Sequence, residues 1–171
     1  MSEPVAIILT GATGATGNAV AHALVARADA TLAAVVAPSV ATTPTRPLPI
    51  DVPAFASLEE ALAAVGSPAV VVDFTHAEPA LAHLQLALDA GVPVVLGATG
   101  FAPGALVEWG ELFAAADLGL LQVPNFSLGA VLLMRVAAEL ATHFPDVEII
   151  ETHHDGKRDA PSGTAVLAAQ R

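Results

Sequence analysis

Cysteine and tyrosine are absent from this 171-residue chain. Lysine occurs once, as Lys157. Without cysteine there are no disulfides and no thiolate sites, which fits a cytoplasmic location. Charge is scarce at 13% of residues, and the balance is acidic, with a net charge of −11. Such a balance argues against nucleic acid and against anionic membrane surfaces as partners. Long apolar runs are also missing. Hydrophobic residues make up 54% of the chain, but Gly, Pro and Asp interrupt them before any run could span a membrane. Met1-Ser2-Glu3-Pro4 lacks the basic region of a secretory signal. What remains is a globular composition, long enough for one full domain or one domain plus part of another.

Apolar runs alternate with helix-like stretches. The runs at Val5–Thr10, Thr31–Ala37, Ala69–Phe74, Val92–Leu96 and Leu118–Val123 read as buried strands. Between them Asn18–Arg27, Ser57–Val65, Pro79–Ala90 and Gly104–Ala115 carry Ala and Leu at helical spacing. Short, two-sided apolar strands alternating with helices predict an α/β fold, a parallel sheet covered on both faces. Pro38–Pro53, with five prolines and three threonines, reads as an irregular loop. After the fifth strand the pattern changes. A helix is expected over Ala130–Thr142 with Ser127 as its cap, then a half-exposed strand over Asp146–Thr152. The spacing therefore predicts a first domain over residues 1–126 and a second beginning near residue 127.

Gly11-Ala12-Thr13-Gly14-Ala15-Thr16-Gly17 follows the first strand and opens a helix. A dinucleotide-binding turn belongs at this place, because glycine lets a pyrophosphate approach the free N–H groups of the helix start. The spacing is Gly-x-x-Gly-x-x-Gly, a departure from the usual Gly-x-Gly-x-x-Gly. The end of the second strand, where an acid usually holds a ribose hydroxyl, reads Ala37-Pro38-Ser39, and no acid occurs between Asp29 and Asp51. Ser39, Thr42, Thr43 and Arg46 stand nearby, which favours tolerance of a 2′-phosphate. Three further segments end strands: Asp73-Phe74-Thr75-His76, Gly97-Ala98-Thr99-Gly100-Phe101 and Val123-Pro124-Asn125-Phe126. They either border one crevice or serve ordinary turn chemistry. His22, His83 and His143 fall on presumed helices and read as surface or satisfied histidines.

The densest chemistry lies late in the chain. His153, His154, Lys157 and Arg158 crowd together ahead of Pro161-Ser162-Gly163-Thr164, which reads as a helix start capped by Ser162. Cations gathered in an acidic chain repel one another unless an anion sits among them. An anionic small-molecule substrate is the expectation. A metal is not, because adjacent histidines on an extended segment point to opposite faces.

Glu151-x-His153-His154-x-x-Lys157-x-Asp159-Ala160-Pro161-Ser162-Gly163-Thr164-Ala165 closely resembles the signature of the 4-hydroxy-tetrahydrodipicolinate (dihydrodipicolinate) reductases. The resemblance extends to the glycine loop, Asp73-Phe74-Thr75, Gly97-x-Thr99-Gly100-Phe101 and Pro124-Asn125-Phe126-Ser127-x-Gly129. It implies a Rossmann domain for NADH or NADPH, then a mixed-sheet α+β domain that binds a dicarboxylate and builds a homotetramer. It also implies reduction of 4-hydroxy-tetrahydrodipicolinate in the diaminopimelate route to lysine. By position, His153 resembles the catalytic acid/base and Lys157 the proton donor, while His154, Gly163 and Thr164 would bind substrate. Cofactor contacts would come from Gly11, Ala12, Thr13, Gly14, Ala15, Thr16 and Gly17, from Gly97, Ala98 and Thr99, and from Val123, Pro124, Asn125 and Phe126.

The chain departs from the family's pattern in three ways. Ala15 stands where the family usually carries Arg, the acid after the second strand is missing, and members of the family continue past the Ser-Gly-Thr helix. The second domain is therefore expected to be incomplete and loose. An atypical short-chain dehydrogenase or epimerase would also suit the glycine loop, but its usual chemistry needs a tyrosine. A non-catalytic dinucleotide-binding remnant is the other alternative.

Overall fold

The computed structural model describes residues 3–38, 46–49, 51–153, 155 and 160–170. It divides into two compact units, residues 1–123 and 124–171. The division falls slightly ahead of the change in sequence pattern at residue 127.

The first unit is one six-stranded sheet with every pairing parallel. Its strands are β1 (Val5–Thr10), β2 (Ala30–Val36), β3 (Ala54–Phe55), β4 (Val70–Asp73), β5 (Val94–Leu96) and β6 (Leu120–Gln122). The order β3-β2-β1-β4-β5-β6 is the doubly wound Rossmann order, whose direction reverses between β1 and β4. Helices α1 (Ala15–Val25), α2 (Leu58–Val65), α3 (Ala77–Asp89) and α4 (Val107–Ala115) make the crossovers. The expected strands and helices all form. β3 was not expected, because two residues just past a proline-rich loop carry no readable period.

Both faces of the sheet are buried, and the strands alternate between two cores. Ile8, Ala34, Val36 and Val71 pack with Leu58, Leu84 and Phe113 of α2, α3 and α4. Leu9, Leu32 and Val35 pack with Ala21 of α1. Neighbouring residues on one strand thus need opposite apolar partners, which is why the strands read as unbroken apolar runs. Ser57 caps α2, its hydroxyl accepting the Glu60 N–H at 3.3 Å, a pairing typical of a helix start.

The second unit holds α5 (Leu128–Ala141) and the short α6 (Gly163–Ala169). Ser127 caps α5 as expected, accepting the Ala130 N–H, and Ser162 caps α6, accepting the Ala165 N–H. The strand expected over residues 146–152 is not formed. Alternating apolar and acidic residues favour extended backbone, but a strand exists only when a neighbour takes its N–H and C=O groups. No such neighbour is present among the described residues of this unit.

Candidate functional site

At the carboxyl ends of β1, β2, β4 and β5 lies a cavity of about 580 Å³. A ligand of cofactor or drug size fits such a volume. Its position at the reversal of strand order is where open α/β sheets take ligands.

The glycine turn forms one wall. Gly11 has φ +72°, and a Cβ there would lie 2.6 Å from the Phe74 carbonyl oxygen. Only glycine fits a left-handed residue pressed on backbone in this way. A Cβ on Gly17 would collide with the Gly11 carbonyl, so the start of α1 seats directly on the turn. Gly14 caps α1 without a side chain, and no acid occupies the first helical turn. The first-turn N–H groups are thus offered to the cavity that Ala15 and Thr16 line.

The remaining walls come from strand ends. Val36, Ala37 and Pro38 follow β2, Phe74, Thr75 and His76 follow β4, and Gly97 and Thr99 follow β5. Among the described residues no Asp, Glu, Lys or Arg lines the cavity, and its titratable groups are His76 and His83. Among the expected cofactor residues, Gly11, Thr13, Gly14, Ala15, Thr16, Gly97 and Thr99 line it together. Ala12, Gly17 and Ala98 are buried behind them. Ser39, Thr42 and Thr43 lie outside the described residues.

Two features escaped sequence reasoning. Thr10, also in the wall, has a buried hydroxyl with no hydrogen-bond partner, an unused polar group that a ligand can satisfy. His83, expected to be a surface or satisfied histidine, is a satisfied one, but with a partner and a place that the sequence did not name. It lines the cavity, and its Nδ1 lies 2.6 Å from Oδ2 of Asp73, a side chain only 1% exposed. Oδ1 of Asp73 accepts both the backbone N–H (2.7 Å) and the hydroxyl of Thr75. Burial pushes the Asp73 carboxyl up, but the bonds from His83 and Thr75 outweigh it and hold it below the ordinary carboxylate value. An ionised carboxylate only accepts, so Nδ1 of His83 carries the proton of that bond. The missed signal was helical: His83 stands three residues after Ala80 and four before Ala87, both fully buried, so it lies near the core side of α3.

The second unit gathers a separate set. Glu151 accepts the backbone N–H of Ser162 at 2.7 Å and also its hydroxyl. His153 presents Nδ1 3.7 Å from Oε2 of the same carboxylate. Asn125 donates to the Thr164 hydroxyl at 3.1 Å and accepts the Ser127 N–H at 2.7 Å. Asn125 and Thr164, expected to serve cofactor and substrate respectively, thus meet directly and join the starts of α5 and α6. Phe126 is exposed and Gly163 opens α6. His154 and Lys157 lie outside the described residues.

The comparisons with known proteins follow the same division. The description "Dihydrodipicolinate reductase, N-terminus" matches residues 5–126, and "Dihydrodipicolinate reductase, C-terminus" matches residues 129–171. The chain belongs to the dihydrodipicolinate reductase family. A 4-hydroxy-tetrahydrodipicolinate reductase of Thermosynechococcus vestitus is 39% identical over the whole chain, which spans 64% of that protein. One from Moorella thermoacetica is 40% identical over 99% of the chain, which spans 65% of it. The solved dipicolinate-bound dihydrodipicolinate reductase of Paenisporosarcina sp. TG-14 shares 36% identity at a TM-score of 0.78, over 98% of this chain and 64% of that one. The chain therefore spans a little under two thirds of these relatives. GenD2 from gentamicin A biosynthesis, solved in complex with NAD, shares the fold at 20% identity and a TM-score of 0.62, over 82% of this chain and 41% of that one.

Proposed function

We propose that this chain binds NADPH or NADH chiefly through its first unit and takes part in reducing 4-hydroxy-tetrahydrodipicolinate to tetrahydrodipicolinate. The observation that carries the reading is the cavity over the glycine turn. Its close-set Gly11, the start of α1 without a side-chain cap and the absence of a lining carboxylate among the described residues suit a pyrophosphate. The spare Thr10 hydroxyl adds a partner for a polar ligand. The relatives are named for this reaction and one was solved with dipicolinate. Once bound, the nicotinamide supplies the hydride.

The chain's own residues do the rest. Gly11–Gly17, with Gly97–Thr99 and the Val123–Phe126 segment, hold the cofactor. His153 turns Nδ1 toward Glu151, which leaves Nε2 to exchange a proton with the substrate as its hydroxyl departs as water. Lys157, as an ammonium, donates a proton and offsets negative charge on the dicarboxylate. His154, Gly163 and Thr164 bind that dicarboxylate, with Thr164 set in place by Asn125. The homotetramer of the family belongs to the same reading.

The experiment is turnover of freshly generated 4-hydroxy-tetrahydrodipicolinate with NADPH. Within it, His153→Ala and Lys157→Ala should each lower the rate by ~10²–10⁴-fold, the usual contribution of a positioned proton donor. Binding of NADPH should stay the same in both. Rates near that of the unsubstituted chain in both variants would sink these assignments.

A further inference from the structure

The cavity wall beside the glycine turn is held by a chain of contacts reaching back into α3. Phe74 receives the turn directly, its carbonyl facing Gly11 and its N–H donating to the Thr10 carbonyl at 3.1 Å. Thr75 comes next, and the Asp73 carboxylate takes both its N–H and its hydroxyl on Oδ1. The Asp73 carbonyl accepts the Gly97 N–H at 2.7 Å, tying in the end of β5. The carboxylate is almost fully shielded from water, so each oxygen needs a donor. Among the described residues His83 is the one donor to Oδ2.

We propose that His83 is a positioning residue for the bound dinucleotide, acting through Asp73 on the Phe74-Thr75-His76 wall of the cavity. Its Nδ1–H fixes the carboxylate plane, and that plane fixes the Thr75 amide and hydroxyl. With Oδ2 unserved, the carboxylate rotates toward another donor or draws in water, and the Thr75 backbone loses its anchor. Because the same wall bears on Gly11, the error reaches the glycine turn. The cofactor part of this inference rests on the dinucleotide reading above, whereas the anchoring of Thr75 does not.

The test uses the 171-residue chain and compares His83→Leu, which keeps bulk but cannot donate, with His83→Asn, whose amide can replace the Nδ1–H. Two quantities are read: the Kd for NADPH and NADH, and hydrogen exchange of the Thr75 amide without cofactor. His83→Leu is expected to weaken the preferred cofactor by roughly 10-fold and to speed Thr75 exchange by at least about as much. His83→Asn should return both to within roughly 3-fold of the unsubstituted chain. Exchange of β1 and β4 core amides reports whether the fold is intact. Should His83→Leu loosen those as well, Asp73→Asn carries the test at the same junction, with the same expected loss. Unchanged Thr75 exchange in a folded His83→Leu chain overturns the anchoring. So does a His83→Asn chain as impaired as His83→Leu. Faster Thr75 exchange with unchanged Kd overturns the link to cofactor. An unsubstituted chain that binds neither cofactor overturns the dinucleotide reading, while Thr75 exchange still decides the anchoring.

Discussion

In residues 1–123 the apolar side chains of the central strands are inside, on both faces of the sheet, with Ile8, Leu9, Val35, Val71 and Leu96 fully buried. In residues 124–171 the same types of residue are outside. Leu128 is 72% exposed and Ile150 83%, and Met134 is the one buried hydrophobic residue described in that unit. Yet the second unit is as well punctuated locally as the first. Ser127 and Ser162 cap their helices just as Ser57 caps α2. Caps and helical spacing set where helices begin, at about 1 kcal/mol each. Burial of apolar surface makes a core, and that requires opposing layers. The first unit has a sheet between its helices; the described residues of the second form two helices and an unpaired extended segment.

The largest expected difference between the two units is in amide hydrogen exchange on the 171-residue chain. Amides of β1 and β4 are expected to exchange ~10³-fold or more slowly than those of α5, because the latter open locally rather than through global unfolding. Equal protection in the two units would show that the second has a core of its own.

Next in size is a change in the glycine turn. Gly17→Val puts a branched side chain against the Gly11 carbonyl, where even a Cβ collides. Dinucleotide binding should fall by roughly 100-fold or more, with a loss of about 1–3 kcal/mol in the stability of the first unit. The second unit should be indifferent, its α5 amides exchanging as before. Titration calorimetry and thermal melts measure both effects, and unaltered NADPH affinity would contradict the close seating of α1.

A smaller effect concerns acid. The folded-state pKa of Asp73 is held below its ordinary value, so its ion contributes stability above the unfolded value of ~3.9 and loses it as pH falls through the folded value. The melting temperature of the first unit should therefore drop on acidification below about pH 5. In Asp73→Asn, stability should start lower at neutral pH and fall less steeply. Parallel acid limbs in the two proteins would refute the linkage.

The smallest expected effect is the choice between cofactors. Val36, Ala37 and Pro38 bring no carboxylate to the cavity after β2 and the sequence has none before Asp51, so no acid after β2 pairs a ribose 2′-hydroxyl or repels a 2′-phosphate. NADPH should serve at least as well as NADH when their Kd values are compared. A tenfold preference for NADH would reject this.

By itself the sequence determined the parallel sheet, because two-sided apolar strands alternating with helices have few other solutions. It also marked the glycine turn and the capping serines, whose chemistry is local: a tight turn needs glycine, and a helix start needs a side-chain oxygen. The rest came from packing. It added β3 beyond the proline-rich loop and withheld a strand from residues 146–152, since pairing depends on a neighbour and not on alternation. It drew Asp73 and His83 together from a strand end and a helix, ten residues apart. It likewise made partners of Asn125 and Thr164, which lie 39 residues apart. Side-chain pairs of this kind follow no period in the chain; they exist because packed elements bring particular faces within hydrogen-bonding distance.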